Sequence, residues 1–216
     1  MKRKLIIFDL DGTLVDTVED LKVAVNVGLA AFNQPTKDLR FVTKAIGNGV
    51  ETLIARCLDK GFDNPFYKDV LNTFRKYYLT HYDVYTKPYQ NVLNTLLILK
   101  ERGYILSVCT NKLHEAAVDL INKYFPNIFD YVLGSKPNIP KKPNPEMIEQ
   151  ILDYFNILNK DEVLYIGDTN VDIEVAKNAN VPFVLVSYGY RNKKELEEID
   201  SQATIIDSFE VLLNLL

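Results

Sequence analysis

Short apolar runs alternate with longer amphipathic segments over most of this chain. We predict that the apolar runs are buried strands, at residues 4–10, 104–109, 131–133, 163–166, 183–186 and 204–206. A turn and an apolar pattern of helical period follow most of them, predicting helices at 113–124, 145–155, 171–178 and 209–215. Alternating strands and helices indicate an α/β fold with a Rossmann-like, doubly wound, mostly parallel sheet.

The stretch from residue 16 to residue 85 lacks this alternation and contains no convincing strand. Its amphipathic segments predict helices at 18–32, 37–46, 50–58 and 67–79, separated by glycines and prolines. We therefore expect a Rossmann-like core formed by residues 1–15 and 86–216. An all-helical domain, residues 16–85, is inserted after the first strand.

Composition and charge argue against a nucleic-acid-binding or membrane protein. Of the 216 residues 47% are hydrophobic, enough for a packed core, and the net charge of -4 comes from interspersed charges of both signs. A nucleic-acid-binding surface would show a basic patch, so we expect no nucleic-acid partner. No apolar run approaches the roughly 20 residues that span a bilayer, so we expect no membrane partner.

Two further patterns bear on where the protein works. The first eight residues are basic and then apolar, but Asp9 interrupts the run and no small-residue cleavage site follows, which favours a strand over a signal peptide. The two cysteines, Cys57 and Cys109, form neither a zinc-ligand pattern nor a disulfide framework. A reducing cytoplasm fits this usage.

Pairs of carboxylates follow two of the predicted strands. Asp9 and Asp11, in the segment Asp9-Leu10-Asp11-Gly12-Thr13, lie at the end of the first strand, and Asp168 and Asp172 follow the strand at 163–166. Ligands of a parallel sheet bind at the carboxyl ends of its strands, and carboxylates there can bind Mg²⁺. Alternatively, these aspartates cap a turn or a helix.

A hydroxyl and a lysine complete the candidate chemistry. Thr110 ends a buried strand, where its hydroxyl and free backbone N–H groups can hold a phosphoryl oxygen or simply cap a helix. In Lys142-Pro143-Asn144-Pro145 the prolines stiffen the approach to a helix and so fix the direction of Lys142. The similar segment starting at Lys136 lacks the second proline, so we select Lys142.

These four motifs, in this order and each at a strand end, resemble the haloacid dehalogenase superfamily over the whole chain. The resemblance implies that Asp9 is the nucleophile and Asp11 the general acid and base, while Thr110 and Lys142 hold the phosphate. It also implies a magnesium site at Asp9, Asp168 and the main-chain carbonyl of Asp11, supported by Asp172. Substrate and phosphate contacts are expected from Asp9, Gly12, Thr110, Asn111 and Lys142, and from Gly47, Asn48 and Gly49 in the helical insert.

The expected function is therefore that of a Mg²⁺-dependent phosphomonoesterase with an aspartyl-phosphate intermediate. Residues 45–56, 110–112 and 187–190 are similar to the phosphoglycolate phosphatases, which implies 2-phosphoglycolate as the substrate. The resemblance also implies that the helical insert, residues 16–85, is a cap domain that closes over the active site. The loop Gly47-Asn48-Gly49 of this cap would recognise the leaving group. The loop can also be only a turn between helices, and the role of Arg56 is open.

Several alternatives remain at this point. Within the same superfamily they are a sugar-phosphate phosphatase, a nucleotidase and a phosphomutase. A dehalogenase lacks the second aspartate of the first motif, and a phosphonate hydrolase would need a cap lysine in a recognisable motif. A receiver domain carries its phosphorylated aspartate after the third strand, and an inactive binding protein would not have every catalytic position filled. We expect a small phosphate ester as the ligand, and either a monomer or a homodimer.

Overall fold

The structure, a computed structural model, describes residues 4–216. The described chain forms two compact units. One contains the chain up to Val15 together with Pro88–Leu216, and the other is Asp16–Lys87. Residues 1–3 of the predicted core segment 1–15 lie outside the described residues.

A six-stranded parallel sheet lies at the centre of the first unit, in the order β5-β4-β1-β6-β7-β8. A second, two-stranded sheet pairs β2 with β3. The strands are β1 (Leu5–Phe8), β2 (Val15–Asp16), β3 (Lys87–Pro88), β4 (Ile105–Leu113), β5 (Tyr131–Ser135), β6 (Val163–Gly167), β7 (Phe183–Val186) and β8 (Ile205–Ile206). The predicted fold class, a Rossmann-like parallel sheet with flanking helices, is confirmed.

Nine α-helices are present among residues 4–216. They are α1 (Val18–Ala30), α2 (Leu39–Ala45), α3 (Gly49–Cys57), α4 (Tyr67–His81), α5 (Val92–Glu101), α6 (His114–Tyr124), α7 (Glu146–Tyr154), α8 (Asn170–Ala179) and α9 (Lys193–Ile199). Short 3₁₀ helices cover Gly61–Asp63, Lys160–Glu162 and Phe209–Asn214. The last of these lies where a terminal helix was predicted, at 209–215, and is of the 3₁₀ type; α5 was not predicted.

Both faces of β1 are buried, as its uninterrupted apolar sequence requires. Leu5 and Ile7 pack in one cluster with side chains of α7 and α8. Phe8 points to the opposite face, where its ring lies 5.8 Å from that of Phe209. The alternation of side chains along this central strand therefore joins the packing on the two faces of the sheet.

Strand β4 is longer than predicted. It continues to Leu113 rather than ending near Cys109, and its pairing with β5 shifts register between these two residues. The following helix begins at His114. Thr110 therefore lies in an irregular extension of the strand and not at a helix N-terminus, which corrects that part of its predicted setting.

The second unit has an apolar core of its own, built from α1 to α4 around residues such as Val25, Ile54 and Phe74. Asp20, which is buried in α1, connects the first helix of this unit to the last residues of the unit. Oδ2 of Asp20 accepts hydrogen bonds from the backbone N–H of Thr86 at 2.8 Å and from its hydroxyl at 2.7 Å. Among the described residues, no helix is long and apolar enough to cross a membrane.

Candidate active site

The loops at the carboxyl ends of three neighbouring strands carry most of the predicted site residues. Phe8 pairs with Val108 of β4 on one side and with Ile166 of β6 on the other. Asp9, Thr110 and Asp168, each within two residues of these positions, therefore emerge at the same edge of the sheet. All three side chains are buried.

Lys142 comes from the loop before α7 and is buried at the same edge. Its Nζ lies 3.0 Å from Oδ1 of Asp9 and 2.9 Å from Oδ1 of Asp172. Burial alone would lower the pKa of Lys142, but the carboxylates of Asp172 and Asp9 outweigh it and raise the pKa. Lys142 therefore stays a cation beside Asp9. Lys136, the similar lysine not selected, is exposed.

Three buried carboxylates, from Asp9, Asp168 and Asp172, have oxygens within 4.8 Å of one another. Burial raises the pKa of Asp9 to about 7, since the nearby charges of Asp172 and Asp11 offset the favourable effect of Lys142. Burial and the charges of Asp172 and Asp9 raise the pKa of Asp168 well above its usual range. One ammonium is too little positive charge to keep three buried carboxylates ionised, and a divalent cation with oxygen ligands would supply the rest. The residues present fit a metal ion.

Both carboxylate oxygens of Asp172 accept hydrogen bonds from protein groups, so Asp172 supports the cluster. Its Oδ2 accepts hydrogen bonds from the backbone N–H of Asp168 at 3.2 Å and of Thr169 at 3.0 Å, and from the Thr169 hydroxyl at 2.9 Å. Its Oδ1 accepts from Lys142 Nζ and from the Tyr165 hydroxyl, each at 2.9 Å. Burial raises the pKa of Asp172, but Lys142 and these donors lower it further than burial raises it. Both oxygens are therefore occupied by the protein.

Two glycines make room for Asp168. A Cβ on Gly12, whose φ is +88°, would lie 2.3 Å from Oδ2 of Asp168. A Cβ on Gly189 would lie 2.2 Å from the carbonyl oxygen of Gly12 and 2.5 Å from the same Oδ2. The backbone N–H of Tyr190 can then donate to that oxygen at 2.7 Å. Gly12, predicted to contact phosphate, is thus needed for the close approach of the two loops.

The side chain of Asn111 makes a contact that the sequence did not predict. Its Nδ2 donates to the carbonyl oxygen of Lys142 at 2.9 Å, and its Oδ1 accepts from the backbone N–H of Lys142 at 2.8 Å. The side-chain amide thus binds the Lys142 backbone, while the contact of Asn111 with phosphate stays a prediction.

Asp11 is paired with Lys112, a residue to which the sequence assigned no role. Nζ of Lys112 lies 3.1 Å from Oδ1 of Asp11, and the Lys112 side chain is 3% exposed. Tyr165, which bridges Lys142 and Asp172, was missed as well. For Tyr165 the sequence signal is a tyrosine inside an apolar strand, because its buried hydroxyl needs a polar partner; Lys112, which follows two polar residues, gives no such signal.

The predicted loop of the insert lies in the helical unit. Gly47 and Gly49 have φ of 142° and 85°, values that favour glycine. Arg56 joins the loop internally, with one NH group donating to the carbonyl oxygen of Ala45 and the other to Oδ1 of Asn48, each at 2.8 Å. This gives Arg56, whose role was open, a structural contact; recognition of substrate by the loop stays a prediction.

Comparison with known proteins agrees with the chemistry at this sheet edge. The model of the haloacid dehalogenase-like hydrolase family matches residues 6–186. The phosphoglycolate phosphatase of Haemophilus influenzae strain Rd is 35% identical, with 99% of this chain and 98% of that protein covered. The phosphoglycolate phosphatase of Aquifex aeolicus is also 35% identical, with 87% and 86% covered.

A solved structure agrees as well. A protein from Lactobacillus delbrueckii subsp. bulgaricus, described there as a candidate phosphoglycolate phosphatase, superimposes with a TM-score of 0.94. It is 28% identical, and the match covers 100% of this chain and 98% of that one. With family model, relatives and fold in agreement over nearly the whole length, the chain belongs to the haloacid dehalogenase-like hydrolases and is a phosphatase most similar to the phosphoglycolate phosphatases.

Proposed function

We propose that this phosphatase hydrolyses 2-phosphoglycolate, with Asp9 as the nucleophile and Mg²⁺ as the cofactor. The observation that carries the proposal is the buried contact of 3.0 Å between Lys142 Nζ and Oδ1 of Asp9, beside two further buried carboxylates. The names of the relatives support the choice of substrate.

In the first step, an oxygen of Asp9 attacks phosphorus and the bond from phosphorus to the glycolate oxygen breaks. Lys142 offsets the negative charge of the phosphoryl oxygens, which otherwise repels a carboxylate nucleophile. The Thr110 hydroxyl and the backbone N–H groups near it hold a phosphoryl oxygen. Asp11 donates its proton to the departing glycolate oxygen, leaving a phosphorylated Asp9.

In the second step, water attacks the phosphorus of phosphorylated Asp9. Asp11, now a carboxylate, accepts the proton from that water, and the bond between phosphorus and the Asp9 oxygen breaks. Inorganic phosphate leaves and both aspartates return to their starting states. Covalent catalysis thus divides one difficult displacement into two easier ones.

The carboxylates of Asp9 and Asp168 and the main-chain carbonyl of Asp11 would hold Mg²⁺, and Asp172 would keep Asp168 and Lys142 in place. When bound, Mg²⁺ supplies positive charge to the phosphoryl oxygens and helps to align them. Asp172 suits its supporting role because the protein already occupies both of its oxygens. The helical unit, with the loop at Gly47, Asn48 and Gly49, would read the carboxylate end of the substrate.

The test is phosphate release with Mg²⁺ from 2-phosphoglycolate, a sugar phosphate and a nucleoside monophosphate. We expect the highest kcat/KM for 2-phosphoglycolate, and a more than about hundredfold loss in Asp9→Asn, equal to roughly 3 kcal/mol of barrier. Asp16→Asn, a half-buried aspartate that contacts the start of α1, is the control. A higher kcat/KM for another ester would overturn the substrate, and an active Asp9→Asn enzyme would overturn the nucleophile.

A further inference from the structure

Lys112 has a charged amino group that is almost completely buried, and burying a charge costs free energy. It lies in the irregular extension of β4, and its side chain is 3% exposed. An unpaired ammonium in such a place would be strongly disfavoured, so its ion pair is part of why it can be there. The contact of 3.1 Å with Oδ1 of Asp11 joins residues that are 101 positions apart in sequence.

Three consecutive residues of this extension each contact a different part of the site. The hydroxyl of Thr110 is the proposed phosphate contact, and it also accepts a hydrogen bond from the backbone N–H of Lys112 at 3.2 Å. The amide of Asn111 binds the backbone of Lys142. The ammonium of Lys112 contacts Asp11. The register shift at this end of β4 lets neighbouring side chains diverge toward these separate targets.

We propose that Lys112 is a positioning residue that holds the Asp11 carboxyl group where it can serve the leaving-group oxygen and then the attacking water. The inference rests on the proposed function, because it needs Asp11 as the acid and base. The side chain of Asp11 is 20% exposed, against 13% for that of Asp9, so packing alone leaves its carboxyl group some freedom to move. The ammonium of Lys112 supplies the restraint that packing does not.

Positioning of this kind has a specific kinetic consequence. An alkyl phosphate such as 2-phosphoglycolate needs a proton on its departing oxygen, while p-nitrophenyl phosphate hardly does. Displacement of Asp11 by about 1 Å is enough to slow proton transfer severely. Loss of Lys112 should therefore lower kcat for the alkyl ester much more than for the aryl ester.

The experiment measures kcat and KM for both esters, with Mg²⁺, in Lys112→Met, Lys112→Arg, Asp11→Asn and the double variant Lys112→Met/Asp11→Asn. Exposed Lys136→Met is the matched control. We expect Lys112→Met to reduce kcat for 2-phosphoglycolate at least about tenfold more than for p-nitrophenyl phosphate. Lys112→Arg should recover part of the loss, and the double variant should be no slower than Asp11→Asn, because Lys112 acts through Asp11.

The outcomes separate the two proposals. Equal losses for both esters in Lys112→Met, or a double variant slower than Asp11→Asn by the product of the single losses, would overturn the role of Lys112. If Asp11→Asn itself shows equal losses for both esters, the acid role of Asp11 fails, and the proposal for Lys112 fails with it. A fall in melting temperature with no difference between the esters would show that the ion pair serves only stability.

Discussion

Asn111 and Lys142 are joined by two hydrogen bonds that run in opposite directions, although 31 positions separate them in sequence. The pair fixes the backbone from which the ammonium of Lys142 extends. A side chain at the end of β4 thus helps to determine the position of a charge on the loop before α7.

Replacing Asn111 with alanine removes both bonds and leaves the backbone groups of Lys142 without them. We expect kcat to fall by about tenfold or more for alkyl and aryl esters alike, because Lys142 serves the phosphoryl group common to both. Loss of the two bonds should lower the free energy of unfolding by about 1–3 kcal/mol. Steady-state kinetics and urea unfolding measure these effects.

Asn178→Ala is the comparison, since Asn178 makes one exposed bond of 2.9 Å to the carbonyl oxygen of neighbouring Pro143. It should reduce kcat much less than Asn111→Ala does. Equal effects of the two substitutions would show that anchoring of the loop as a whole, and not the contact with Lys142, sets the rate.

The cluster of Asp9, Asp168 and Asp172 predicts that Mg²⁺ stabilises the protein. At a concentration about 100 times its Kd, Mg²⁺ adds about 2.7 kcal/mol, which should raise Tm by roughly 5–10 °C. Activity should vanish in excess chelator, and Ca²⁺ should inhibit, because it takes more oxygens at longer distances and misplaces Asp9. Full activity without a divalent cation would contradict the proposal.

Asp168→Asn sharpens this test because its readout does not depend on turnover. Since burial and neighbouring charges raise the pKa of Asp168, its neutral form is favoured in the fold. The metal-free variant should therefore melt no lower than the metal-free parent protein, while Mg²⁺ should no longer raise its Tm. An undiminished Tm increase would remove Asp168 from the set of metal ligands.

Gly189→Ala should damage the site through one methyl group. The new Cβ would lie 2.2 Å from the Gly12 carbonyl oxygen, so the two loops must move apart. We expect a loss of stability of about 1–3 kcal/mol, weaker Mg²⁺ binding and a clear fall in kcat.

Gly103→Ala is the matched control, because its Cβ would meet nothing within 4 Å but its φ is +82°. It should cost about 1–2 kcal/mol of stability through backbone strain and leave the kinetics unchanged. If Gly189→Ala behaves like Gly103→Ala, the close approach at Asp168 does not matter for turnover.

The loop of the helical unit needs a test that avoids its glycines. Valine at Gly47 or Gly49 would strain the turn whatever the loop contacts, since both have positive φ. Asn48→Ala and Arg56→Met each remove the same hydrogen bond, but only the first removes the amide of Asn48. If Asn48 reads the substrate, Asn48→Ala should lower kcat/KM for 2-phosphoglycolate about tenfold more than Arg56→Met does. Equal losses for the two variants, on 2-phosphoglycolate and p-nitrophenyl phosphate alike, would make the loop purely structural.

The sequence predicted the strands best where apolar residues form short uninterrupted runs. β7 matches the predicted residues 183–186, and the start of β6 at Val163 was also predicted. The helix α5 was not predicted, and β4 extends past the predicted end at 109 through the polar residues Thr110, Asn111 and Lys112. Polar residues at a strand end look like a loop in sequence, because only the folded site supplies their partners.

The same limit applies to the candidate site. Asp9 and Asp168 could be selected because each follows a recognisable strand, and Lys142 because it begins a recognisable proline pattern; the structure buries all three at one sheet edge. Lys112 could not be selected, since its partner Asp11 is distant in sequence and nothing local predicts the contact. Asn111 could be selected, but its contact with the Lys142 backbone could not be foreseen without the fold.

The way the chain leaves and re-enters the first unit has a consequence for how such enzymes change. The backbone N–H of Tyr89 donates to the carbonyl oxygen of Leu14 at 3.1 Å, although the whole helical unit separates them in sequence. A short linker could therefore span this gap, and we expect a chain shortened in this way to retain the fold of its larger part. In the same way, an insert of another length or shape could replace the helical unit at this junction without changing the residues proposed to carry out the phosphate chemistry. If the helical unit recognises the substrate as proposed, changes in substrate range and preservation of the mechanism would fall on different stretches of the gene.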